Sequence, residues 1–229
     1  MVCLTSSRAY VRLFIGLLLL SSLLLPRALP ARPLTSSELS RLTTQMQSDN
    51  PKQRINTAMQ LGYAHDPQAA EVLLTACHDS DAGVREAVVN ALALTNSVKI
   101  FAPLREMASD AEPRVRVAVA RALGSCIQLY YWVPGLPNYT NWANVYKNPQ
   151  SVAADIREKG QAAFKQVGWA ENIATLLGML NDTDIRVRLD AALSLYSYGD
   201  QRGVPSLYEG MQLPDKEARL YYTRMIANN

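Results

Sequence analysis

An arginine that recurs at a fixed interval constrains the fold of this chain more than any other feature of its sequence. The interval is 31 residues at four steps and 41 residues at the step between Arg116 and Arg157. A period of this length indicates an array of small supersecondary units, because one such unit cannot cover its own apolar face. The series consists of Arg54, Arg85, Arg116, Arg157, Arg188 and Arg219.

Three other columns keep the same register and are apolar in every unit. Only 48% of the chain is hydrophobic, so eighteen apolar positions in eighteen are not a matter of chance. Their spacing predicts two helices per unit with a polar turn between them. We therefore predict an all-α fold, an α-solenoid of about six stacked helical hairpins over residues 35–229. The columns are Leu39, Ala70, Phe101, Trp142, Ile173 and Val204; Leu42, Leu73, Leu104, Val145, Leu176 and Leu207; and Leu61, Leu92, Leu123, Phe164, Leu195 and Ile226.

The turns between the helices are rich in Asp, Asn and Ser, which are typical helix N-caps. The segments Asp79-x-Asp81-x-x-Val84-Arg85 and Asp182-x-Asp184-x-x-Val187-Arg188 resemble the turn and second helix of HEAT-like repeats. The short period is similar to that of the bilin-lyase type of HEAT repeat. This resemblance implies an interaction surface for another protein as the main role, with an auxiliary lyase-like role as an alternative.

The repeated arginines allow two interpretations. They pair with carboxylates of their own turn or of the neighbouring unit, or they form a row of charges for an external anion. The first is favoured, because acidic residues precede most of these arginines and the charges balance. Arg157 is a candidate for an unusual partner, since Ser151 and Ala153 occupy the acidic positions of its unit.

Ten extra residues lie within 127–138, and the Pro-Gly-Leu-Pro segment there predicts a loop. Insertions in repeat arrays often lie on the binding face, and Tyr and Trp favour recognition. Tyr130, Tyr131, Trp132 and Tyr139 are therefore candidate binding residues. The alternative is that these aromatic residues cover the core beside the fourth unit.

The last helix carries apolar residues beyond one stripe, although terminal repeats usually present a polar outer face. Tyr221 and Tyr222 are therefore candidates for docking a partner or for self-association with a second copy. The alternative is that they pack against the fifth unit.

Residues 1–31 have the layout of a secretory signal peptide: Arg8 and Arg12 precede an apolar run that ends at Pro26. The run of about thirteen residues reaches only ~20 Å, which is short of a ~30 Å hydrocarbon core. We expect cleavage after Ala31, a secreted or periplasmic location and no membrane span in the mature chain. An uncleaved membrane anchor is the alternative.

Composition argues against several function classes. The formal net charge is +3, and residues 1–31 contain three arginines and no acid, so the remainder holds 20 basic and 20 acidic residues. This balance argues against a nucleic-acid partner. Three cysteines and two histidines in no ligand-like spacing predict no metal, no cofactor and no catalytic set. The preferred hypothesis is a non-catalytic protein-interaction scaffold, and the main alternative is a small-ligand module for sugar or peptide that uses the aromatic loop.

Overall fold

A computed structural model describes residues 33–64, 66–95, 97–125, 168–198 and 200–227, without the side chains of residues 67, 221 and 224–227. These residues are helical apart from the connecting turns. Short 3-10 turns at Val98–Ile100, Met107–Ser109 and Gln201–Gly203 supplement the α-helices. The α-helices are α1 (Ser36–Gln45), α2 (Pro51–Tyr63), α3 (Pro67–Thr75), α4 (Ala82–Leu94), α5 (Phe101–Glu106), α6 (Pro113–Gly124), α7 (Trp169–Met179), α8 (Ile185–Ser197), α9 (Val204–Gly210) and α10 (Lys216–Ala227).

Successive helices pair into five hairpins within the described part of the chain, namely α1–α2, α3–α4, α5–α6, α7–α8 and α9–α10. The apolar columns of the sequence form their shared core. In the first helices the described leucines of the second column are at most 2% exposed, and in the second helices the described leucines of the third column are fully buried. The core leucines are Leu42, Leu73, Leu104, Leu176 and Leu207, followed by Leu61, Leu92, Leu123 and Leu195.

Polar residues in the turns start the helices, as the sequence predicts. The hydroxyl of Thr35 accepts a hydrogen bond from the amide of Glu38, and the Glu38 carboxylate accepts one from the amide of Thr35. Asn50, Asp81 and Asp184 likewise accept amide hydrogen bonds from the first turns of α2, α4 and α8. Each cap satisfies amides that have no partner inside the helix, which fixes where the helix begins.

The second helices stack side by side, in the order α2, α4, α6, α8. At two of these contacts a glycine allows the backbones to approach. A Cβ added at Gly62 of α2 would lie 2.8 Å from the Cα of Ala91 in α4, and one added at Gly124 of α6 would lie 2.7 Å from the Cβ of Ser194 in α8. Both glycines stand eight residues after one of the repeated arginines, Arg54 and Arg116, so the α6–α8 contact repeats the geometry of the α2–α4 contact.

The structure therefore confirms the predicted α-solenoid. The order in which the units pack differs from their order along the sequence. The repeat register places the unit of Arg157 after α6, whereas α6 packs directly on α8. The predicted fourth unit, the loop at 127–138 and the leader at 1–31 lie outside the described residues. Within the described ranges, no helix combines the length and apolar character that a membrane span requires.

Candidate functional site

The repeated arginines form ion pairs from one unit to the next. Arg54 binds Asp79 through Nε and Nη2, both at 2.7 Å. Arg85 binds Asp110 at 2.8 and 2.9 Å through the same two atoms. These bidentate pairs confirm the interpretation that the arginines serve carboxylates of the protein itself. We call this series the arginine ladder.

The ladder continues at the contact between α6 and α8, where the packing order departs from the sequence order. Arg116 of α6 binds Asp182, 66 residues later, at 2.7 and 2.8 Å. This hydrogen-bonded pair lowers the pKa of the Asp182 carboxyl and raises that of the Arg116 guanidinium. Both side chains are about nine-tenths buried, so the pair is shielded from water.

Further polar contacts join α5 and α6 to the hairpin α7–α8. Arg121 binds Asp190 at 2.9 and 3.1 Å, and Nη1 of Arg105 donates to Oδ1 of Asn172 at 2.8 Å. The Ser194 hydroxyl donates to the carbonyl of Ala120 at 2.8 Å. These directional contacts define a specific junction rather than an accidental approach of two surfaces.

An open groove runs along the second helices on both sides of this junction. It encloses about 410 Å³ and draws on four of the five described hairpins. We call it the second-helix groove. Its lining consists of Glu86 from α4; Arg114, Val117 and Arg121 from α6; Ile185, Arg186, Leu189 and Asp190 from α8; Leu213; and Ala218 and Tyr222 from α10.

The groove has an apolar floor and a charged rim. Leu189 in the floor is buried and Val117 is half-buried, whereas the rim guanidiniums of Arg114, Arg121 and Arg186 are at least half exposed. Arg121 and Arg186 each bind an aspartate with a nitrogen–oxygen distance of less than 3 Å. The paired carboxylate oxygen of Arg114, on Glu86, lies 3.9 Å away. Arg114 is thus the rim cation that is held most loosely by the protein itself.

The structure places one of the predicted binding residues in this groove. Tyr222 is half-buried and packs over Gly210, where an added Cβ would meet its ring. The side chain of Tyr221 is outside the described set. Tyr130, Tyr131, Trp132, Tyr139 and Arg157 also lie outside the described residues, so their binding roles remain predictions.

The groove residues of α6 and α8 are not among the binding residues predicted from the sequence. Its apolar positions follow directly after ladder arginines: Val117 follows Arg116, and Leu189 follows Arg188. The same position after Arg85 holds the charged Glu86. An apolar residue at this position in α6 and α8 was therefore a usable signal of the groove. The three apolar columns of the repeat register mark the core, whereas the position directly after each ladder arginine marks the outer face of the second helices.

Cys77 and His78 are neighbours in the turn between α3 and α4. Burial raises the pKa of the Cys77 thiol to about 11, which keeps it protonated at neutral pH, and its neighbour His78 is exposed. No group of three or more His, Cys, Asp or Glu side chains is arranged to hold a metal ion in the described part of the chain.

Comparisons with known proteins agree with this architecture. Residues 39–124 match the family model of HEAT repeats. The fold is similar to that of the complex of CpcE and CpcF of phycocyanin lyase from Nostoc sp. PCC7120, with 20% identity, a TM-score of 0.52 and coverage of 83% of this chain and 99% of that chain. Human deoxyhypusine hydroxylase in complex with glycerol is also similar, at 16% identity and a TM-score of 0.41, over 84% of this chain and 73% of that chain. No curated protein sequence matches the chain. The match to HEAT repeats covers residues 39–124, and the described hairpins beyond residue 124 have the same α-solenoid arrangement.

Proposed function

We propose that this protein is a non-catalytic scaffold that binds another protein through the second-helix groove. The observation that carries the proposal is the composition of the groove, in which Val117 and Leu189 provide an apolar centre and arginines form the rim. Protein interfaces combine an apolar core with a polar rim and are enriched in Arg and Tyr. The similar structure of CpcE and CpcF is itself a complex of two proteins.

The shape of the groove favours a protein over a small molecule. Small-ligand sites bury most of the ligand in a concave pocket. This groove is open and takes residues from α4, α6, α8 and α10, so it suits an extended or helical segment. Repeat arrays present such long surfaces because each unit adds one strip to the same face.

We further propose that the protein acts in the periplasm or outside the cell. The support is the leader at residues 1–31, with its arginines, apolar run and Pro26. The amino terminus of the protein recovered from the exported fraction tests this proposal. A mature terminus near Arg32 supports it, and an intact Met1 in a membrane fraction supports the anchor alternative.

The binding proposal is tested by affinity capture from native exported-fraction extract, followed by mass spectrometry. The bait is the tagged chain from Arg32 onward, as wild type and as Arg114→Ala. We expect the variant to lose the captured protein by about fivefold or more, as for a central interface residue. The matched control is Lys99→Ala, which also removes an exposed cation that pairs with a partly exposed carboxylate, that of Glu71, outside the groove.

Deletion of residues 130–138 tests the contribution of the aromatic loop in the same assay. Loss of the partner only in this deletion would move the binding site from the groove to the loop. Equal recovery with wild type, Arg114→Ala and Lys99→Ala would remove the groove from the interface. Empty capture by a folded bait would contradict the scaffold and favour small-ligand binding by Tyr130, Tyr131 and Trp132.

A further inference from the structure

All five ladder arginines in the described residues hold their guanidinium in the same orientation. In each, Nη1 donates to the carbonyl oxygen of the residue six positions earlier. The donor–acceptor distance is 2.7 Å for Arg54 and Arg219. It is 2.8 Å for Arg85 and Arg116 and 2.9 Å for Arg188. These bonds leave the edge formed by Nε and Nη2 pointing away from the arginine's own turn.

That free edge takes a carboxylate from the next unit. In Arg54, Arg85 and Arg116 it binds the aspartate that stands six residues before the next stacked arginine. In the last unit Leu213 occupies this position, and Arg188 instead binds Glu209 with Nη2 at 2.6 Å. The substitution of Glu209 for the usual aspartate indicates that the edge requires a carboxylate and tolerates a change in its position.

Arg219, in the last described unit, has no such partner among the described residues. Its Nη1 donates to the carbonyls of Leu213 and Pro214 at 2.7 and 2.6 Å, but no described carboxylate lies within ion-pair distance of its guanidinium. The residue is half-buried, and the adjacent Leu220 is 39% exposed. The orienting bonds are thus in place, while no carboxylate of the described residues occupies the Nε–Nη2 edge.

We propose that the Nε–Nη2 edge of Arg219 is a binding site for an aspartate of a partner protein. The aspartate is presented in a turn that begins a helix, as Asp182 is presented to Arg116, so the partner stacks on α10 as a further helical unit. Leu220 supplies apolar contact beside the ion pair. A guanidinium that is already oriented loses less conformational freedom on binding, which favours recognition.

The other end of the ladder argues for a different protein rather than a second copy. A head-to-tail pair of copies would bring Arg219 to the first unit, where Ser48 stands six residues before Arg54. There the Ser48 hydroxyl accepts the turn hydrogen bond from the amide of Asn50 at 3.2 Å, a position that aspartate fills in later units. This serine offers no carboxylate at the position that Asp79, Asp110 and Asp182 occupy in the other units.

The inference rests on the protein-binding role proposed above but uses the end of the stack and not the groove. Its test extends the full chain with a Gly/Ser linker and a second copy of residues 168–198, which carry the turn of Asp182. A matched extension carries Asp182→Asn in the added copy only. We expect the aspartate extension to melt at least about 2 °C higher than the asparagine extension.

Arg219→Gln in both extended chains should abolish this difference, because the amide cannot make the bidentate ion pair. If Arg219→Gln also destabilises the chain without extension, Arg219→Lys replaces it, since lysine keeps the charge but not the paired donors. Equal melting temperatures of the aspartate and asparagine extensions would overturn the proposal. The effect of Arg114→Ala on capture is independent of this result, so failure here leaves the groove proposal intact.

Light scattering on the unextended chain distinguishes the source of the carboxylate. We expect a monomer at all concentrations for wild type and for Arg219→Gln. Concentration-dependent association that is lost in Arg219→Gln would show that a second copy occupies the edge, and would overturn the assignment to a different protein.

Discussion

Among single residues, the pair of Arg85 and Asp110 represents the ladder in its most regular form. The side chains are 15% and 10% exposed, so Arg85→Ala leaves a largely buried carboxylate without its bidentate donor. We expect the free energy of unfolding to fall by about 2 kcal/mol in urea denaturation. The control is Arg202→Ala, whose guanidinium is 62% exposed beside Asp200 and whose loss should cost less than about 0.5 kcal/mol. Equal losses would mean that the ladder pair contributes no more than a surface pair.

The same residues predict how stability depends on pH. The hydrogen bond from Arg116 lowers the pKa of Asp182, and that from Arg186 lowers the pKa of Asp184 to about 2. A carboxylate with a lowered pKa in the folded state stabilises the protein above its unfolded pKa of about 3.9. That stability is lost as the pH falls from about 4 towards 2.

We therefore expect the unfolding free energy to be flat near pH 5 to 7 and to decrease below pH 4. Asp182→Asn should weaken this decrease, because the variant has no carboxyl to protonate at that position. Urea denaturation at half-unit steps of pH measures the slope. The same acid slope in wild type and variant would contradict a role of Asp182 in the pH dependence.

At the scale of helices, the contact of α6 with α8 depends on the absence of a side chain at Gly124. Alanine there places Cβ 2.7 Å from the Cβ of Ser194, so the helices must separate. We expect Gly124→Ala to lower the free energy of unfolding by about 1–3 kcal/mol. Gly178→Ala in α7 is the control, because a Cβ there meets nothing within 4 Å and alanine favours the helix by up to about 1 kcal/mol. Stabilisation by both substitutions would contradict the close contact.

The helices themselves were largely predictable from sequence. Leu61, Leu92 and Leu123 share a column in the repeat register, and all three are fully buried. The cap at Thr35 lies in a Thr-x-x-Glu pattern that can be recognised in sequence, since an N-cap depends only on groups within one helical turn. The groove was not predicted, because its members come from four hairpins and meet only after stacking.

At the scale of the whole molecule, the direct packing of α6 on α8 predicts that the stack does not require residues 127–166. Replacing them by a short Gly/Ser linker should leave the helical signal per described residue and the cooperativity of melting unchanged. The contacts of Arg116 with Asp182 and of Arg121 with Asp190 are retained in such a chain. A shorter connection also costs less entropy on closure. Circular dichroism and thermal melting test this, and a loss of cooperative unfolding would show that the removed residues are part of the stack.

The sequence by itself determined the repeating unit, its two helices and the side of each helix that faces the core. These follow from periodicity and capping, which act over a few residues. It also predicted that the arginines pair with carboxylates, because most of them lie a few residues from an acidic turn. Only the tertiary structure decided which carboxylate each arginine binds: Arg116 reaches past 65 residues to Asp182. Every unit presents the same kind of face, so local sequence specifies how units stack but not which unit is the neighbour, and that choice depends on contacts between distant segments.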